Sequence, residues 1–106
     1  MRPSNHSVYA TGSWQAFPGQ EEAFVAAWRE FVGWAATLDG AGEATLARDV
    51  RADGRYVSFF GWDDMETVRG WKAHPEFKER MSRVQQFVDK FAPTELEVVA
   101  RVRGEA

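Results

Sequence analysis

The chain has 106 residues, enough for one domain with a real hydrophobic core and too few for a second. Hydrophobic residues make up 44% and charged residues 27%, which excludes a disordered chain; cysteine is absent, which removes disulfides, thiolate metal sites and a cysteine nucleophile. The formal net charge is -3, with 13 Lys and Arg scattered among 16 Asp and Glu, so no basic face is expected and nucleic acid is an improbable partner.

No apolar run approaches the roughly 20 residues of a membrane span. Residues 1–7 are polar, lack an apolar signal core and read as a flexible N-terminal tail. These features predict a cytoplasmic protein with no membrane partner. Aromatic residues reach 14%, with five Trp and eight Phe. Such density serves a small core filled with large rings, a flat apolar pocket for a ring-shaped ligand, or a buried dimer face.

Residues 8–17 are β-branched and aromatic and end at Pro18-Gly19, which predicts a strand and a turn. Residues 20–38 predict a helix, with Phe24, Trp28, Phe31, Ala35 and Leu38 on one apolar face. Glu21 and Glu22 suit the positive end of its dipole, and Asp39-Gly40-Ala41-Gly42 ends it. Residues 43–50 and 55–62 predict two strands joined by a tight turn at Asp53-Gly54. The second is apolar on both faces, with Tyr56, Phe60 and Trp62 on one and Val57 and Phe59 on the other. A strand of that kind needs cover on both sides of its sheet.

Asp63 and Glu66 resemble a capping box for a helix through Met65, Val68 and Trp71, which His74-Pro75 interrupts. A further helical segment is expected over 76–91, with Phe77, Met81, Val84, Phe87 or Val88, and Phe91 inward, stopped by Ala92-Pro93. Residues 94–103 alternate apolar and charged, which predicts the last strand, and 104–106 are left as a tail. The order β-α-β-β-α-β predicts a ferredoxin-like α+β domain over 8–103, an antiparallel sheet with its helices on one face. Val57 and Phe59 on the open face predict a homodimer with sheets facing each other.

The chain resembles the antibiotic biosynthesis monooxygenase (ABM) family, whose members are dimeric α+β barrels. The resemblance lies in Pro18-Gly19 before Phe24-Val25-Ala26-Ala27-Trp28, and in Val57-Ser58-Phe59-Phe60-Gly61-Trp62-Asp63-Asp64. It continues through Trp71, Pro75-Glu76-Phe77-Lys78 and Leu96-Glu97-Val98-Val99. It implies a cofactor-independent monooxygenase acting on an aromatic or quinol-like metabolite, with molecular oxygen as co-substrate and no cofactor. It also implies a second possibility, a heme-binding or heme-degrading protein. Quinol-oxidising members commonly place His residues where this chain has Trp71 and Glu76. Heme-degrading members match Trp71 but place the ligand His near Met81 and an Asn near Gly12. The missing histidines support a second reading, ranked ahead of heme: a non-catalytic dimer that binds a hydrophobic metabolite.

Within this frame the expected pocket lies between the sheet and its two helices. Its expected lining is Gly12, Trp14, Phe24, Trp28, Phe60, Trp62, Trp71, Met81 and Phe87. Trp71 is the expected ring contact and His74 the expected base, because it is the one His within the predicted elements and a histidine can act as a base near neutral pH. Gly12 removes a side chain from a strand, making room for a ligand or a bulge.

Overall fold

The structure, a computed structural model, describes residues 6–104. Strand β1 spans Val8–Ala16 and is buried at every second residue, the period of a strand with one face on a core. Helix α1 spans Glu21–Ala35 and buries Phe24, Trp28, Phe31 and Ala35, the stripe expected from their spacing. It closes three residues earlier than predicted. The Thr37 and Leu38 N–H groups donate to the carbonyls of Trp34 and Ala35, tightening the chain into a turn.

Strands β2 (Ala41–Arg48) and β3 (Arg55–Trp62) follow. β2 starts two residues before the expected 43–50, because a bulge between Ala41 and Ala44 lets Ala41 pair with Trp62. It stops before Asp49, whose carboxylate accepts from the Arg51 N–H at 2.9 Å and turns the chain. Gly54 then adopts φ +75°, a conformation open to glycine and strained for other side chains.

Helix α2 (Met65–Lys72) is capped one residue later than the sequence suggested. The Asp64 carboxylate accepts from the Thr67 N–H at 2.8 Å, and the Thr67 hydroxyl accepts from the Asp64 N–H at 3.3 Å. The box is therefore Asp64 and Thr67, not Asp63 and Glu66. Asp63 instead extends the sheet, its N–H donating to the Gly40 carbonyl at 2.9 Å.

The largest departure is at the C-terminal end. Helix α3 is Phe77–Gln85, and the last strand, β4, is Val88–Glu97 rather than 94–103. Phe87, Val88 and Phe91 have helical spacing, but the chain reaches the same result by another route. β4 pairs with β1 as Trp14 with Phe91, Gln15 with Lys90 and Ala16 with Val88, so one extra residue bulges out. That bulge lets Val88 and Phe91, three apart, both face the core. Pro93 does not stop a helix; it lies opposite Gly12 in an edge strand, where a residue without an N–H is tolerated. Val99 and Val102, read as strand, are 91% and 93% exposed beyond β4.

The four strands form one antiparallel sheet in the order β2-β3-β1-β4, the ferredoxin-like arrangement. The inward residues of β1 and β3 share one core with the buried residues of all three helices. The opposite sheet face carries Phe59 and Leu96, 42% and 48% exposed. Of the expected tails, residues 1–5 and 105–106 lie outside the described residues. Ser7 is held in place, its N–H donating to the Trp62 carbonyl and its own carbonyl accepting from the Val98 N–H. Among the described residues no helix is long and apolar enough to cross a membrane.

Candidate functional site

Between the helices and the inner sheet face lies an apolar cavity of about 180 Å³. For scale, an apolar cavity of roughly 150 Å³ admits benzene. Its floor is β1 and β3, through Gly12, Trp14, Ser58 and Phe60. Helix α1 supplies Trp28, Phe31 and Val32; α2 supplies Trp71 and Lys72; α3 supplies Phe77, Met81 and Gln85. β4 closes the side with Phe91 and Pro93.

Of the side chains expected here, the structure brings together Gly12, Trp14, Trp28, Phe60, Trp71 and Met81. Three others lie elsewhere. Phe24 is fully buried beside the cavity, between α1 and the sheet, packed on Trp14 and Tyr56 at 5.4 and 5.1 Å between ring centroids. Trp62 is also fully buried and stacks behind Trp71, 4.9 Å away and 23° from parallel. Phe87 lines a separate shallow groove with Ala27 and Arg83.

His74 is not among the residues that line the cavity. Its Nδ1 accepts from the Glu76 N–H at 3.1 Å, and its ring sits edge-on to Trp34 at 5.1 Å. With Nδ1 accepting, a neutral ring carries its proton on Nε2. Pro75 sets this aim: the chain breaks between α2 and α3 there, and the imidazole caps the break instead of entering the cavity. Trp34, off the main stripe of α1, is also covered by the Arg80 guanidinium, 4.8 Å from the ring centroid.

The cavity wall is held by rings in mutual contact. Trp71 touches Phe31, Phe60 and Phe77 at 5.8, 5.3 and 5.2 Å, besides its stack on Trp62. Trp14 stacks on Phe91 at 4.0 Å. Such contacts contribute about 0.5–1.5 kcal/mol each beyond burial. The indole N–H groups of Trp62 and Trp71 are buried with no hydrogen-bond partner among the described residues.

Polar groups enter at few points. Trp14 Nε1 donates to Ser58 Oγ at 2.9 Å within the buried floor. Lys72 Nζ meets Glu95 Oε2 at 2.6 Å, an ion pair bridging α2 and β4 with both side chains about one third exposed. No Asp, Glu, His, Cys or Tyr lines the cavity among the described residues. No group of three such side chains that could hold a metal occurs among them either.

The expected lining also omitted Phe31 and Phe77, read as core, and, among others, Ser58, Lys72 and Phe91. Ser58 had a visible signal: it is the polar residue at the period-two position between Tyr56 and Phe60, on the inward face of β3. Phe91 was hidden by its assignment to a helix. Lys72 carried no local signal, since its partner Glu95 is 23 residues away.

The model of the antibiotic biosynthesis monooxygenase family matches residues 7–83. A mutant of SnoaB, a cofactor-independent oxygenase from Streptomyces nogalater, superposes with a TM-score of 0.85 at 17% identity, over 93% of this chain and 99% of that one. A putative antibiotic biosynthesis monooxygenase from Deinococcus radiodurans gives 0.80 at 14% identity, over 93% and 99%. One from Bordetella bronchiseptica gives 0.79 at 17%, over 91% and 100%. No curated protein shows significant similarity to the chain. At these identities the structures speak for the fold, and the family match covers most of the chain: the protein belongs to the antibiotic biosynthesis monooxygenase family.

Proposed function

We propose that the protein is a cofactor-independent monooxygenase that oxidises a small aromatic, phenolic or quinol-like metabolite. The observation that carries this reading is the ring-walled cavity between sheet and helices, about 180 Å³ in volume and lined mainly by apolar side chains, with Thr11, Ser58, Lys72 and Gln85 as its polar members. A flat electron-rich ring held there would face Trp71 and the stacked Trp14–Phe91 pair, all of which line the cavity. There it is shielded from water, which favours direct reaction with molecular oxygen over solvent quenching. The overall change balances without a cofactor. A phenol loses its O–H proton and the opposite ring C–H, one oxygen atom becomes the new carbonyl, and the other leaves as water with the two hydrogens. The substrate supplies the electrons, so the protein's part is to bind, orient and exclude water.

His74 lies outside this cavity, so the expected role as base does not enter the reading. Heme is a poor fit, because no His, Cys or Tyr ligand lines the cavity among the described residues. The active form we propose is a homodimer joined through the open sheet face, which presents Phe59 and Leu96 half-exposed.

Oxygen uptake with a panel of single-ring and fused-ring phenols and quinols, read alongside quinone absorbance, tests the function. Uptake that matches quinone formed supports it. Binding of the same compounds with no uptake supports the second reading, a non-catalytic binder of a hydrophobic metabolite. That reading is favoured by one specific observation: among the described residues no carboxylate or imidazole lines the cavity to accept a proton.

A further inference from the structure

We infer a second binding site: a groove on the helix side of β2 that takes an organic anion, a carboxylate carried on an apolar body. It is separate from the cavity and does not rest on the function proposed above. The α1 stripe packs over the central strands, with Phe24 against Trp14 of β1 and Tyr56 of β3. The same face of the edge strand β2 is left partly open, with Ala44 and Leu46 half-buried. Trp28 divides the two spaces, lining the cavity on one side and the groove on the other.

The donors of the groove are brought together by register. Arg48 lies directly across from Tyr56, and opposed side chains of antiparallel strands share a face at about 5 Å between Cβ atoms. Arg29 follows Val25 by four residues, so the two share the flank of α1 that overlooks β2. Val25, Ala44 and Leu46 supply apolar surface between them. Neither guanidinium has an ion pair or hydrogen bond among the described residues. Tyr56 is 5% exposed, and its hydroxyl, also without a partner among them, is not one of the enclosed polar atoms: it opens to the groove. Two guanidinium forks and a phenol hydroxyl thus converge, and no carboxylate lines this groove among the described residues. Such forks match the two oxygens of a carboxylate. Glu21 and Glu22 border the neighbouring hollow toward the start of α1, and neither pairs with Arg29 or Arg48. Their charge favours a monoanion over a phosphate dianion.

The experiment titrates octanoate, octanamide and inorganic phosphate into the ¹⁵N-labelled full-length protein, following backbone amide and Arg Nε–H signals. Octanoate is expected to move the Arg29, Leu46 and Arg48 signals saturably, and octanamide and phosphate to bind at least about fivefold more weakly. Arg29→Gln and Arg48→Gln are each expected to weaken octanoate about three- to fivefold, the upper range for exposed ion pairs, and the double variant to abolish saturation. Tyr56→Phe is expected to weaken it about threefold by removing one donor. Both arginines are exposed, so these variants keep the fold, which circular dichroism checks. Equal octanoate affinity in the wild type and the double variant would overturn the site. Shifts confined to Gly12, Trp71 and Phe91 would place octanoate in the cavity and overturn it too. Phosphate binding as tightly as octanoate would overturn the carboxylate class. No saturable shift with octanoate would overturn the groove as a ligand site.

Discussion

Replacing Gly12 with alanine adds one methyl group at the point where β1, β3 and β4 meet. The added Cβ would lie 2.8 Å from Trp14 Nε1, 2.9 Å from Phe91 Cε1 and 3.0 Å from Ser58 Oγ, where ordinary contact begins at 3.4 Å. Trp14 and Phe91 are already stacked at 4.0 Å, and neither can retreat without opening that stack. Overpacking of this kind costs about 1–3 kcal/mol. Parting Trp14 Nε1 from Ser58 leaves a buried N–H unpaired, at about 1–3 kcal/mol more. Alanine returns about 0.4–1 kcal/mol through the lower entropy of the unfolded chain. The net expectation is a loss near 3 kcal/mol, which in a domain this small lowers Tm by about 12–24 °C. Urea denaturation followed by circular dichroism and Trp fluorescence measures it. A loss below about 0.5 kcal/mol, the size of an ordinary surface substitution, would refute the packing described at the cavity floor.

Three other substitutions test separate parts of the account. Asp64→Ala is expected to cost about 1 kcal/mol by removing the cap on the Thr67 N–H, and Asp63→Ala much less, as read by urea midpoints. The reverse ranking would restore the box suggested by sequence. His74→Ala is expected to leave any oxygen uptake unchanged, because His74 caps the Glu76 N–H outside the cavity; a large fall in rate would make it part of the chemistry. Phe59→Asp places a charge on the open sheet face and is expected to yield a folded monomer by light scattering. A variant that stays dimeric would move the interface elsewhere.

The first two thirds of the fold were legible because local pattern and tertiary demand agree there. The stripe Phe24, Trp28, Phe31, Ala35 is buried as spaced, and Tyr56, Phe60 and Trp62 face inward as alternation required. The C-terminal third was not, for one physical reason. A bulge opposite Gln15 gives β4 the spacing of a helix, and only the pairing partner, β1, reveals it. The same bulge concealed Phe91, so the cavity's side wall was missing from the expected site. Trp62 and Phe24 were expected in the lining because density of rings suggests a pocket. Sequence cannot say which rings form a second row, and full burial puts these two there. His74 illustrates a different limit: its chemistry was right for a base, but its aim is set by Pro75 and the neighbouring Trp34 ring.

The central claim is that a ring compound reacts with oxygen inside this cavity. The direct measurement is turnover of a phenol or quinol under ¹⁸O₂, in the wild type and in a Met81→Trp variant whose larger ring fills the space. The account predicts one labelled oxygen atom per product molecule in the wild type and none formed by the filled variant, provided circular dichroism shows it folded. Product formed equally by both proteins, or carrying unlabelled oxygen, would contradict it.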